Sequence, residues 1–202
     1  MAETETSPVA RVIPLHRSIG EDFRNNIGMA LFLFSWGITF AGLAIAYLVV
    51  WWRAADWPPV GTPPRPLLLP ILNTALVLGS SVTYDLAVRS ARRNRPGAVR
   101  QALLATGVLA VGFLALQNMM WVRLWHAGLR LGVNNFAGLF YALTWFHAAH
   151  VFAGVLILLA LAPRAMRGGF TSREHTVIRL SGWFWHFVTA AWLVVFVLLW
   201  IL

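Results

Sequence analysis

Five stretches of this chain, at about residues 27–52, 67–89, 99–121, 136–161 and 177–202, are apolar over roughly twenty residues or more. A helix rises about 1.5 Å per residue, so each can cross a hydrocarbon core of about 30 Å. In lipid every backbone donor and acceptor must be paired internally, which leaves helices or closed barrels. The runs lack the sustained alternation of barrel strands. The expectation is an all-α fold: a polytopic membrane helix bundle with five transmembrane helices. Residues 26–202 form that domain, and residues 1–25 a cytoplasmic N-terminal tail and surface segment. The breaks carry their own signals. Trp57-Pro58-Pro59 and Thr62-Pro63-Pro64-Arg65-Pro66 cannot continue a helix. Arg92-Arg93-Asn94-Arg95-Pro96-Gly97 and Arg167-Gly168-Gly169 read as polar turns.

Composition supports this. Only 11% of the residues are charged, too few to cover a water-soluble domain of this size. There are no cysteines, which excludes disulfides, thiolate metal sites, iron–sulfur clusters and a cysteine nucleophile. All the basic residues are arginine, and the formal net charge is +9. In a soluble chain that charge would suggest nucleic acid; here the arginines sit in loops and set topology. Arg11, Arg17, Arg24, Arg89, Arg92, Arg93, Arg95, Arg100, Arg164, Arg167, Arg173 and Arg179 fall on one side of the five spans. Arg53, Arg65, Arg123 and Arg130 fall on the other. The positive-inside rule then puts the N-terminus in the cytoplasm and the C-terminus outside. Tryptophans 51, 52, 57, 121, 125 and 200 gather near the outer interface, where an amphipathic ring is favoured. The opening Met1–Pro8 is polar and partly acidic, unlike the basic-then-apolar order of a cleavable signal.

Polar residues inside the spans are the candidates for function. On the fourth helix Thr144, His147, Val151 and Gly154 share one stripe, with His150 beside them. On the fifth, Trp185, His186, Thr189 and Trp192 form another. A neutral imidazole has one donor and one acceptor, and both need partners in hydrocarbon. Two readings stand. One is a haem or metal site, since histidine is the commonest metal ligand. The other is a hydrogen-bonded seam locking the two helices, possible partners being hydroxyls, tryptophan N–H groups, main-chain carbonyls or each other. At 1.5 Å per residue, His150 and His186 lie at similar depths, roughly 11 and 9 residues from their inner helix ends. No nearby carboxylate or methionine cluster adds weight to the metal. Asp85 and Arg89 are spaced for a helical ion pair with a snorkelling arginine. Gln117 and Asn118 read as interhelical hydrogen-bond formers, and Gly37, Gly79 and Gly154 as sites of close helix approach.

These residues resemble a known family. The pattern Phe-[Phe/Tyr]-x-Leu-Thr-Gly-x-His-x-x-His-Val-x-x-Gly of subunit III of the haem–copper oxidases is matched by Phe140, Tyr141, Leu143, Thr144, His147, His150, Val151 and Gly154, with Trp145 for the usual glycine. The last-helix pattern Trp-His-Phe-Val-Asp-x-x-Trp is matched by Trp185, His186, Phe187, Val188 and Trp192, with Thr189 for the aspartate. Weaker similarity runs over about residues 26–202, as in the five-helix form of the cytochrome c oxidase subunit III family. Two further family carboxylates are replaced, by Trp36 and Met120.

The resemblance implies a non-catalytic integral membrane subunit of a respiratory terminal oxidase. Such a subunit stabilises the catalytic subunit and supports its proton-uptake side. It holds no haem, copper or metal, and those cofactors belong to partner subunits, with subunit I and subunit II as expected neighbours. Phospholipid is a further expected partner, and nucleic acid is not. Thr144, His147, His150, Trp185 and His186 then form a structural seam or line a lipid cleft. Three rivals remain at this point. One is an accessory subunit of a nitric oxide reductase or other respiratory complex. Another is a free-standing haem- or metal-binding protein using His147, His150 and His186. The third is a small transporter, against which stands the lack of paired halves with interrupted helices.

Overall fold

The computed structural model describes residues 15–172 and 174–202, with side chains from residue 20 onward. Among these residues the chain forms five long helices: α1 Leu15–Arg53, α2 Leu68–Arg92, α3 Pro96–His126, α4 Asn135–Met166 and α5 Thr176–Phe196, the last running into a wider π turn at Val197–Ile201. All five are long and apolar enough to cross a membrane. The side chains of Arg11, Arg17 and Arg173 lie outside the described residues, as does the segment 1–14.

The helix ends differ from the sequence expectation in instructive ways. α1 begins at Leu15, twelve residues before the expected span. That extension is held by α5: Arg179 donates to Asn26 at 2.9 Å and Thr176 to Asp22 at 3.1 Å. α3 starts at Pro96, where a fixed φ and a missing N–H suit the first helical position. α4 opens with Asn134, whose side chain accepts from the Ala137 N–H at 2.8 Å and so satisfies one orphan donor of the first turn.

α2, α3, α4 and α5 close a four-membered ring, each packing on the next and α5 returning to α2. α1 leans on α4 and α5 from outside the ring and buries few of its own residues. Small residues set the approaches. Gly79 of α2 faces Leu109 of α3, and Gly112 of α3 faces Leu76 of α2. Without a hydrophobic drive between helices in lipid, such close packing is a main source of association. The interior has two parts. Towards the arginine-poor end it is aromatic, with Phe113, Phe136, Phe140, Tyr141 and Trp192 nearly or fully buried. Towards the arginine-rich end it is built of smaller side chains such as Ala87, Ala91, Val99 and Ala165.

Candidate functional site

The polar groups inside the ring are paired mostly helix to helix. At the arginine-poor end the Trp121 Nε1–H of α3 donates to Thr144 of α4 at 3.0 Å, and the Thr144 hydroxyl donates to the Phe140 carbonyl at 2.7 Å. Asn73 of α2 donates to Gln117 of α3 at 3.1 Å, with both side chains fully buried. Trp192 of α5 donates to Thr74 of α2 at 2.9 Å. Asn118, read in the sequence with Gln117 as a bond former, is exposed instead and has no side-chain partner among the described residues.

Towards the middle, Trp185 of α5 crosses to α2. Its Nε1–H donates to Ser80 at 3.1 Å, and its ring stacks on Tyr84 at 5.8 Å between centroids. The other side of the ring presses on Gly154 of α4: a Cβ there would stand 2.7 Å from the indole. Trp185 can therefore be fully seated only because residue 154 has no side chain. Thr189, one turn on, donates to the Trp185 carbonyl at 3.1 Å.

The three histidines occupy three different environments. His147 is fully buried among the rings of Phe113, Trp192 and Phe40, with centroids at 5.5, 5.1 and 6.4 Å. Neither of its nitrogens has a hydrogen-bond partner among the described residues. His150 places Nδ1 at 2.7 Å from the Phe146 carbonyl. A carbonyl only accepts, so Nδ1 carries the proton and Nε2 is left as the acceptor. Its ring meets the edge of Trp36 of α1 at 4.4 Å. His186 faces away from both: it is exposed, and Nδ1 lies 2.6 Å from the Ser81 hydroxyl of α2. Thr144, His147, His150 and Trp185 thus belong to the interior where α4 meets its neighbours, and His186 belongs to the outer face of the α2–α5 contact. Among the described residues no group of three or more His, Asp or Glu side chains could hold a metal ion.

The positions where the family pattern has carboxylates are filled by groups with local partners. Trp36 packs on His150 and Phe146, Met120 is buried in the aromatic part of the core, and Thr189 bonds within its own helix. Asp85 and Arg89 form an ion pair at 2.6 Å on the outside of α2, with 39% and 66% of their side chains exposed. At the opposite end Arg65 donates to the Leu199 carbonyl and lies over the Phe136 ring at 4.8 Å. Burial lowers its pKa from the ordinary value, with Tyr47 opposing the shift. Sequence reasoning did not place Ser80, Ser81, Tyr84, Asn73 or Thr74 opposite their partners. The available signal was their polarity inside an apolar run.

A family model described as cytochrome c oxidase subunit III matches residues 18–202. A protein named cytochrome c oxidase subunit 3 from Thermostichus vulcanus is 34% identical over 182 residues, 90% of this chain and 88% of that protein. Its namesake from Synechocystis is 34% identical over 176 residues, 87% of this chain and 74% of that one. The namesake from Loxodonta africana is 36% identical over 138 residues, covering 68% of this chain and 52% of the longer relative. With the family pattern running through all five spans, the chain belongs to the cytochrome c oxidase subunit III family.

Proposed function

We propose that this chain is the non-catalytic subunit III of a respiratory haem–copper oxidase, docked on subunit I and sharing the complex with subunit II. The match to the family along residues 18–202 carries the reading. The chemistry of the interior supports it. Tryptophan indoles bond threonine and serine hydroxyls across helix contacts, and Asn73 bonds Gln117 through one of its two amide atoms. They do not converge on a point where a substrate atom could react. The haem and copper are expected in the partner catalytic subunits.

In this reading Thr144, His147, His150, Trp185 and His186 are structural. Four of them hold α4 against α1, α3 and α5, and His186 ties α5 to α2. Their work is to keep a rigid surface for the catalytic subunit and its proton-uptake side. Trp36 cannot itself carry a proton, because the indole N–H does not titrate in the physiological range. The position of Trp36 therefore contributes packing against His150 and Phe146, not proton transfer. The Asp85–Arg89 pair anchors the end of α2 at the membrane surface. The excess of arginine at one end supports an N-terminus in the cytoplasm and contacts with phospholipid headgroups.

The test is to tag the chain, purify it from its native membrane in mild detergent and identify the proteins that come with it. Oxidase subunits I and II are expected. Recovery with nitric oxide reductase subunits would move the chain to that complex. Recovery alone with a bound chromophore would support the histidine-based rival.

A further inference from the structure

At the arginine-poor end, the start of α2 and the end of α3 border a hollow of about 160 Å³. Leu69, Met120, Leu124 and Trp200 form its apolar wall, and Arg65 and Arg123 line it with them. That volume lies well under the roughly 300–1,000 Å³ of a small-molecule pocket and leaves room for one side chain. Arg65 is held in place before anything binds. Its guanidinium donates to the Leu199 carbonyl and lies over the Phe136 ring at 4.8 Å. Pro64 and Pro66, which also line the hollow, fix the backbone on either side of it. A guanidinium carries more N–H donors than the one bond to Leu199 uses. Arg123, one turn from the end of α3, is exposed.

On the reading that the chain works inside an oxidase, we propose that this hollow is a docking point for a carboxylate side chain of a neighbouring subunit. Charge carries the assignment. Two guanidinium groups line one small space, and among the described residues no carboxylate side chain lies within ion-pair distance of either. Arg89, Arg164 and Arg179, at the other end, each have a carboxylate oxygen within 4.0 Å. Asp56 is the one carboxylate side chain described at the arginine-poor end, and it is exposed. Burial strips water from Arg65, so its charge is costly alone and gains more from an anionic partner than a solvated one would. The wall suits the methylene stem of an acidic side chain, and the planar forks of two arginines suit its carboxylate.

Site-specific crosslinking and a graded salt wash of the tagged complex test this. A photoreactive residue at position 127, which is exposed and lines the hollow, is expected to capture a neighbouring subunit beside an Asp or Glu. Arg123→Glu should retain about tenfold less of that subunit through the wash than the wild-type chain, because it sets like charges against each other. Arg130→Glu makes the same charge change at the same end but outside the hollow, and should retain the wild-type amount. Changing the captured acid to arginine should restore retention in Arg123→Glu. Capture of lipid alone, or equal retention by Arg123→Glu and Arg130→Glu, would overturn the proposal. Wild-type co-purification names the complex, so a failure of the oxidase reading appears there and not in the comparison of variants.

Discussion

Gly154→Ala is the sharpest test of how the interior is assembled. The new methyl carbon would stand 2.7 Å from one indole carbon of Trp185 and 3.1 Å from another. Relaxed carbon contacts lie at about 3.5–4.0 Å, so something must move by about 1 Å. The indole is poorly placed to give way, being bonded to Ser80 at 3.1 Å and stacked on Tyr84. Overpacking of this kind costs about 1–3 kcal/mol. Against it stands the helix-propensity gain of alanine over glycine, about 1 kcal/mol. Gly107→Ala supplies that gain alone, since its methyl meets no neighbour within 4 Å. The difference between the two variants isolates the clash. In equilibrium unfolding in detergent, Gly154→Ala is expected to lie about 1–3 kcal/mol below Gly107→Ala. Trp185→Leu should lower stability on its own, yet relieve much of the Gly154→Ala penalty in the double variant. Equal stability of the two alanine variants, or simple additivity with Trp185→Leu, would refute the packing argument.

Other substitutions probe the polar pairs. Asn73→Leu or Gln117→Leu alone leaves one buried amide unpaired and should cost about 1–2 kcal/mol, with the double variant costing less than the two losses combined; a double-mutant cycle in the same unfolding assay reads this. Asp85→Asn removes a largely exposed ion pair and should shift stability by less than about 0.5 kcal/mol. Ser81→Ala breaks the contact to His186 on the outer face and should lower stability by about 0.5–1.5 kcal/mol. It should leave the amount of subunit I recovered with the chain unchanged, as measured by quantitative pull-down.

How much of this was legible in the sequence depended on distance along the chain. The five spans were plain because apolar length is a local property. The early start of α1 was hidden because Glu21, Asp22 and Arg24 interrupt the apolar run, and their helix is held by residues of α5 more than 150 positions away. Pro96 opens α3, yet the arginines and Gly97 around it carry the signal of a polar turn, which masks the first-turn proline. Thr144, His147, Val151 and Gly154 of α4 are buried together, because helical spacing fixes which residues share a face. The partners across the contacts were not readable. Nothing local says that Trp185 reaches Ser80, or that His186, next in sequence, meets Ser81 on the outer face of the same α2–α5 contact. A residue's neighbour on a helix points about 100° away, so Trp185 is buried within that contact while His186 lies exposed at its rim.

The central claim is that the chain serves an oxidase without holding its chemistry. The most direct measurement is the redox difference spectrum of the purified complex before and after this chain is dissociated, with the released chain recorded separately. The account predicts an unchanged haem spectrum in the remaining complex and a released chain without absorbance from haem. Haem or metal leaving with the chain, bound through His147 or His150, would contradict it.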